Sequence, residues 1–461
     1  MRKIMILMVL FCFISNSFAL SIDQLLEGYA KNDTKLKELL INLDQQTVQL
    51  QKIYITHGVN VNLTTGNSSV SVVNGETIFS TIPKLTVDIP GINSSIVATT
   101  ATENTELKSA SIEFSTAIID SVSNEKELAI ETAERDVELA QRAIENQLIE
   151  VQVAFYNDLK TLYSKQNVVS SSQDDVIEAL EDFELVKTQG YAPNSVKYRT
   201  DEISVKTAEW NLEENQRTLK TELNNFLIDC GFELDAITEI PSLPASIENI
   251  AIDSISDYDT SDYIKLEETL WRLDYEKRKQ ENQNDFTLNA DLGLKYFQNQ
   301  VSNINENSAS VGLSGAWSGL NFSTGVEIPF ENTENLKLNF GLTWDLQKTN
   351  NHSLEKDSDD LENQLNTLTE QNALDELEKQ IQNSVTNEKD LAWQKENKLE
   401  QLDLYNTLYI DTQEWFEQGL VSSSDVLKAK TDYERALIGA NESLIDIVIH
   451  NLELSQLFLG A

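Results

Sequence analysis

Residues 418–429 read Gln-Gly-Leu-Val-Ser-Ser-Ser-Asp-Val-Leu-Lys-Ala, and at an offset of 229 upstream the chain reads Gln189-Gly190-Tyr191-Ala192, followed by Pro193-Asn194-Ser195. Both segments punctuate long amphipathic stretches. Glycine is the usual residue just past a helix end, where the backbone turns left-handed. Ser, Asn and Asp are the usual caps of the helix that follows. Two such reversals predict two helical hairpins.

Working outward, the rest of the chain repeats with the tips. Ser21-Ile22-Asp23 is echoed by Ala251-Ile252-Asp253, and Lys35-Leu36-Lys37-Glu38 by Lys265-Leu266-Glu267-Glu268, both at an offset of 230. A near-constant offset over this span predicts a tandem duplication. The join falls near 230–250, where Gly231, Pro241 and Pro244 interrupt the helical pattern. The expected domains are a first repeat at 20–245, with strands at about 53–100 and a helical hairpin at about 107–230. A second repeat at 246–461 would have strands at about 286–346 and a hairpin at about 352–458.

Each repeat is expected to open with a helix, over 21–52 and 260–283. Strands follow. Phe286, Leu288, Ala290, Leu292, Leu294 and Tyr296 alternate with Thr287, Asn289, Asp291, Gly293 and Lys295. Leu320 to Phe330 and Leu336 to Leu346 alternate in the same way. Period two over ten or so residues is the pattern of a strand with one apolar face, at the length that crosses an outer membrane when tilted. The first block is fainter: Val59, Val61 and Leu63 alternate, as do Leu85, Val87 and Ile89. A soluble sandwich would alternate equally well. Beyond the strands, Ala133, Val137, Ala140, Ile144, Leu148, Val151, Phe155 and Leu159 step by three or four, as in a coiled-coil seam. A helix over 107–188 would be on the order of 120 Å long, suited to spanning a gap. Return helices are expected at about 195–228 and 424–458, the latter with Val426, Ala429, Tyr433, Ala436 and Leu437 on one face.

The N-terminus reads as a cleaved signal peptide, 1–19. Arg2 and Lys3 precede an apolar run from Ile4 to Ile14, and Ser17-Phe18-Ala19 offers small residues for cleavage. That run is too short to span a bilayer as an anchor. Phe11 before Cys12 argues against lipidation. Cleavage leaves Cys230 alone, so no internal disulfide is expected. With 76 Asp plus Glu against 35 Lys plus Arg, the net charge of −41 argues against nucleic acid, which needs clustered basic groups. His57, His352 and His450 sit in no metal-ligand spacing, and no phosphate loop or nucleophile triad appears. Acidic pairs such as Asp174-Asp175 read as solvated helix faces. Neither an enzyme nor a cofactor is expected.

The duplication, the element order and the tip segments together resemble the TolC-like outer-membrane efflux proteins over essentially the whole mature chain. Gly419-Leu420 followed by Asp425-Val426-Leu427 is similar to that family's hairpin turn, and Leu338-Asn339-Phe340-Gly341-Leu342-Thr343-Trp344 to the strand that enters its long helix. The fold class so implied is mainly α with a membrane β block. Two tandem helix–strands–hairpin repeats would form a trimeric α-barrel plus an outer-membrane β-barrel. A barrel also answers a physical demand, since open sheet edges are not tolerated in lipid.

The resemblance implies a homotrimeric, passive exit duct for tripartite efflux or type I secretion, seated in outer-membrane lipid and reaching into the periplasm. A periplasmic adaptor and an inner-membrane pump would be its partners. Gln189, Gly190, Tyr191, Ala192, Gln418, Gly419, Leu420 and Val421 would dock the adaptor. Asp425 and Lys428 would stand at the periplasmic gate. Tyr296, Phe297, Trp317, Phe330 and Trp344 would form aromatic girdles. Two departures stand out. The second block holds an extra hairpin, Ser308–Trp317 and Leu320–Phe330 about Ser318-Gly319, and Ser195 takes the place of the tip aspartate in the first repeat. The other readings are an adaptor-like periplasmic protein and a structural coiled-coil envelope protein without a pore.

Overall fold

The computed structural model describes residues 20–459 apart from 57, 67, 74–75, 90–92, 104–105, 121–124, 235–236, 238, 283–285, 300–303, 318 and 332–333. The expected signal peptide and its cleavage site, with Cys12, lie outside the described residues. The chain is mostly helical, with one open antiparallel sheet. It divides into two compact units, Met1–Glu38 with Ile144–Ile264 and Glu376–Ala461, and Leu39–Ala143 with Lys265–Asp375.

The helices are α1 (Ile22–Asn32), α2 (Thr34–Thr56), α3 (Glu125–Thr188), α4 (Val196–Asp229), α5 (Ala245–Glu248), α6 (Ile264–Glu281), α7 (Leu346–Glu417) and α8 (Ser423–Ser455). The helix expected over 21–52 is broken at Asp33, whose carboxylate accepts the Leu36 N–H and so caps α2. The first unit is built on a core of Leu25, Phe155, Leu159, Leu162, Phe226, Leu227, Ile438, Ile445 and their neighbours, from α1, α3, α4 and α8. Phe155 is fully buried, with Tyr29 edge-on at 5.7 Å and Phe226 at 5.4 Å. The hydroxyl of the half-buried Tyr29 donates to Asp158 at 2.8 Å and that of the buried Tyr163 to the Pro241 carbonyl at 2.7 Å, so both rings keep their polar ends satisfied.

The second unit holds the sheet: β1 (Asn60–Thr64), β2 (Ser68–Val73), β3 (Glu76–Thr81), β4 (Lys84–Ile89), β5 (Ser94–Glu103), β6 (Glu106–Ile119), β7 (Phe286–Asn299), β8 (Ile304–Trp317), β9 (Leu320–Pro329) and β10 (Lys337–Trp344). The path across it is β1-β4-β5-β6-β7-β8-β9-β10, with β2 on β3 and β3 on β5. β3 and β4 are one strand interrupted at Pro83, which has no N–H to give. Thr81 pairs with Thr102 and Lys84 with Thr99, in unbroken register. β1 and β2 are likewise one strand. Thr64 faces Lys84 and Ser68 faces Thr81, with a one-residue slip absorbed at Gly66, whose φ is 62°. A Cβ at Gly66 would strike the Ile82 carbonyl. Among the described residues, ten strands therefore make eight long ones in a meander, four from each block.

Two expectations are corrected here. Residues 107–119 are strand β6, not the start of a helix, and α3 begins at Glu125. Ala110, Ile112, Phe114 and Thr116 face one side of this strand and Ser109, Ser111, Glu113 and Ser115 the other, a strand pattern muted by its small residues. The doubled hairpin is also not confined to the second block, since the first has as many long strands.

Candidate functional site

Residues that pair across an antiparallel ladder share a face. One face can therefore be followed across the whole sheet: Val61, Val87, Ile96, Phe114, Leu292, Val311, Val326 and Leu338 lie in one row. A row away come Leu63, Leu85, Ala98, Ile112 and Leu294. Most of this face is uncovered, Leu63 at 75% and Phe340 at 79% exposed. A contiguous apolar surface of this extent marks a membrane or partner contact. The opposite face is small and polar: Ser95, Ser111, Ser115, Gly293, Ser310, Gly312, Ser323, Gly325 and Gly341. It bears a trough of about 440 Å³ lined by Glu113, Asp291, Lys295, Ser310 and Glu327 among others. Ser115 donates to Asp291 at 2.6 Å and Ser308 to Glu327 at 3.1 Å.

Four of the five expected aromatics fall on the apolar face, in two rows. At the end nearer the helices, Trp317 pairs with Phe286 and with Leu320, and Leu320 with Trp344. At the far end Tyr296 pairs with Asn307, whose carbonyl accepts the Phe330 N–H, so Tyr296 and Phe330 stand level. Tyr296 lies ten residue steps along β7 from Phe286. At about 3.4 Å per residue and a tilt of about 40°, the rows would lie roughly 26 Å apart along a barrel axis, the height of an outer-membrane apolar band. Phe297 departs from the expectation, for it pairs with Ser109 and shares the polar face.

The hairpin tips belong to the first unit. At each, the left-handed glycine closes the incoming helix twice over. Gly190 N–H donates to the Lys187 carbonyl and Tyr191 N–H to Val186, while Gly419 N–H donates to Phe416 and Leu420 N–H to Trp415. These are paired Schellman caps, with φ of 80° and 74°. Gln189, Gly190, Tyr191, Ala192, Gln418, Gly419 and Leu420 are exposed, and Val421 is half-buried. The returning helices are capped by Ser195, which accepts from Tyr198 N–H, and Ser422, which accepts from Asp425 N–H. Ser195 therefore corresponds to Ser422 and not to Asp425, which corrects the alignment of the tips.

Asp425 completes a capping box: its carboxylate accepts the Ser422 N–H at 2.8 Å and hydroxyl at 2.7 Å, and these bonds hold it below the usual carboxylate range. Lys428 reaches across to α3, where Glu181 accepts from it at 2.5 Å. Hydrogen bonds from Lys428 and Ser424 hold Glu181 low. Further along the same two helices, Arg435 meets Asp174 at 3.4 Å and Lys160 meets Asp446 at 2.5 Å. Burial and the neighbouring Asp432 push Asp174 upward despite Arg435. Sequence reasoning missed this α3–α8 ladder, because its partners lie some 250 residues apart. Among the described residues no group of His, Cys, Asp and Glu could hold a metal, and no helix is long and apolar enough to cross a membrane.

Residues 25–247 match the TP096X N-terminal domain and residues 250–460 the TP096X C-terminal domain, which between them take in nearly the whole chain. An uncharacterized protein of Treponema pallidum (strain Nichols) is 22% identical over 319 residues, covering 66% of this chain and 56% of the relative. The chain thus spans little more than half that relative's length. Among solved structures, the open state of the Neisseria gonorrhoeae MtrE outer membrane channel superposes with a TM-score of 0.51 at 10% identity, over 96% of this chain and 93% of that one. A membrane protein from Pseudomonas aeruginosa gives a TM-score of 0.50 at 13% identity, over 95% and 91%. With both TP096X domains present in order and the fold that of a TolC-like outer-membrane factor, the chain belongs to the TP096X family.

Proposed function

We propose that this protein is a passive outer-membrane exit duct. One observation carries the reading. A single uninterrupted apolar face, bounded by two aromatic rows at bilayer-band spacing, backs onto a small-residue polar face. In lipid such a sheet is stable only when closed. The apolar face would meet lipid, the polar face would line a water-filled lumen, and Tyr296, Phe330, Trp317 and Trp344 would sit at the two interfaces.

In this reading the chain is exported by a cleaved signal peptide and is a tandem duplication, 20–245 and 246–461. Three copies close one barrel. Helical faces left bare in the single chain support assembly: Leu40, Ile41, Val48 and Ile55 on α2, and Leu361, Leu365, Leu368 and Trp393 on α7, are exposed. The two tips, with Gly190 and Gly419 at their apices, are the docking points for a periplasmic adaptor that connects the duct to an inner-membrane pump. Lys428 and Glu181 form a latch that holds α8 against α3 in the closed state, and Asp425 serves the start of α8.

Native mass spectrometry of the full chain extracted from outer membranes in detergent tests the assembly. Three copies lacking residues 1–19 are expected. A monomer, or recovery with the inner membrane, would instead favour an adaptor-like protein.

A further inference from the structure

In the family resembled, each repeat contributes two strands; here each block contributes four long ones, and all eight are hydrogen-bonded in one meander. We propose, resting on the duct reading above, that all of them enter the barrel. The ring then holds twenty-four strands, eight from each of three copies, and its lumen admits a folded protein domain rather than only small solutes or extended chains.

Three observations carry this. First, the two ends of the path are compatible. β1 follows α2 and β10 leads into α7, so they run in opposite directions, and an even number of long strands lets β10 of one copy join β1 of the next antiparallel. Second, the apolar face reaches both free edges of the sheet, at Val61 on β1 and Leu338 on β10. A neighbouring copy, staggered along the strands as barrel closure requires, therefore continues the band. Third, the chain cannot close on itself. An eight-stranded barrel must fill its interior with side chains. Many inward positions here, Ser115, Gly293, Ser310, Gly312, Gly325 and Gly341, are too small to do so, and the larger ones among them include the charged Glu113, Asp291, Lys295 and Glu327, which favour water. A wide ring leaves them facing water, where no filling is needed.

The size follows from strand spacing. Twenty-four strands at about 4.8 Å, tilted by about 40°, give a backbone diameter on the order of 48 Å. Allowing about 10 Å for inward side chains leaves roughly 38 Å. Twelve strands would leave only about 14 Å by the same reasoning. A folded domain of about 100 residues has a radius of gyration near 13 Å, hence a diameter on the order of 34 Å, and passes the wider ring but not the narrower.

Electron cryomicroscopy of the full chain in lipid nanodiscs counts the strands. A three-fold ring of twenty-four, with β10 of each copy beside β1 of the next, is the expected result. A three-fold ring of twelve, with the remaining hairpins outside it, would overturn the wide lumen and leave the duct standing. Separate eight-stranded barrels, or no ring, would overturn both.

Discussion

Glu267 is where single residues matter most in the sheet-bearing unit. Arg135 and Arg142 on α3, both almost wholly buried, converge on its carboxylate at 2.7 and 2.6 Å, and Arg135 also lies 5.1 Å from the Trp271 ring. Burial alone would raise Glu267, but the hydrogen bonds from Arg135 and then Arg142 hold it below its ordinary value. A carboxylate lowered in the folded state contributes stability above its unfolded pKa and loses it as pH falls through the folded one. Glu267→Gln leaves Glu138, which Arg135 and Arg142 also reach at 2.9 and 2.5 Å, as the shared counter-charge of two buried guanidiniums, at a cost below the roughly 3 kcal/mol of a wholly unpaired buried charge near neutral pH. Thermal unfolding in detergent should show the variant's deficit at pH 7 and its disappearance below the usual carboxylate range. The sequence displayed this glutamate only as part of a repeat match, Lys265-Leu266-Glu267-Glu268; nothing in a linear reading brings it to two arginines some 125 residues away. The tip glycines were legible for the opposite reason, because a Schellman cap is a local device and leaves a local mark.

At the scale of the element, the strands and the ladder between helices carry the account. Phe340 lies on β10 midway between the two aromatic rows, while Asn339 faces the polar side. Phe340→Arg places a charge at mid-bilayer and should cost about 2–4 kcal/mol of insertion. Asn339→Arg should insert normally. Recovery of folded protein in outer-membrane fractions distinguishes them, and equal recovery would count against the assignment of faces. The α3–α8 latch makes a second prediction. Each partly exposed ion pair is worth less than about 1 kcal/mol, so Lys428→Met should raise the open-to-closed ratio in bilayer recordings by at most about five-fold. With Glu181 held low, the wild-type latch should persist as pH falls through the ordinary carboxylate range and fail only below it. Strands β7 to β10 were readable from sequence because Leu, Phe and Trp alternate with polar residues. β6 was not, because Ser, Ala and Thr surround Ile112 and Phe114 and blur the alternation, and the continuity of β1 with β2 and of β3 with β4 was hidden by Gly66 and Pro83. Asp33 was hidden too, since a single cap inside an otherwise helical pattern looks like any other surface acid.

For the whole molecule, the order of elements and both hairpin reversals were legible because they follow from periodicity and punctuation. The number of strands, the row heights and the α3–α8 ladder were not, because they depend on register and on long-range pairing. Charge is instructive at this scale. The net charge of −41 suggests a cation-favouring duct. On the polar face of the strands Asp88, Glu103, Glu106, Glu113, Asp291 and Glu327 outnumber Lys84, Lys295, Lys337 and the Lys108 that pairs with Glu106 at 2.8 Å, so the strands add to that preference. The central claim, that the chain forms a water-filled pore, is tested most directly by reconstituting the purified protein in planar bilayers under a salt gradient. The account predicts discrete, ohmic conductance steps with a modest cation preference. Absence of conductance, or a clear preference for anions, would contradict it.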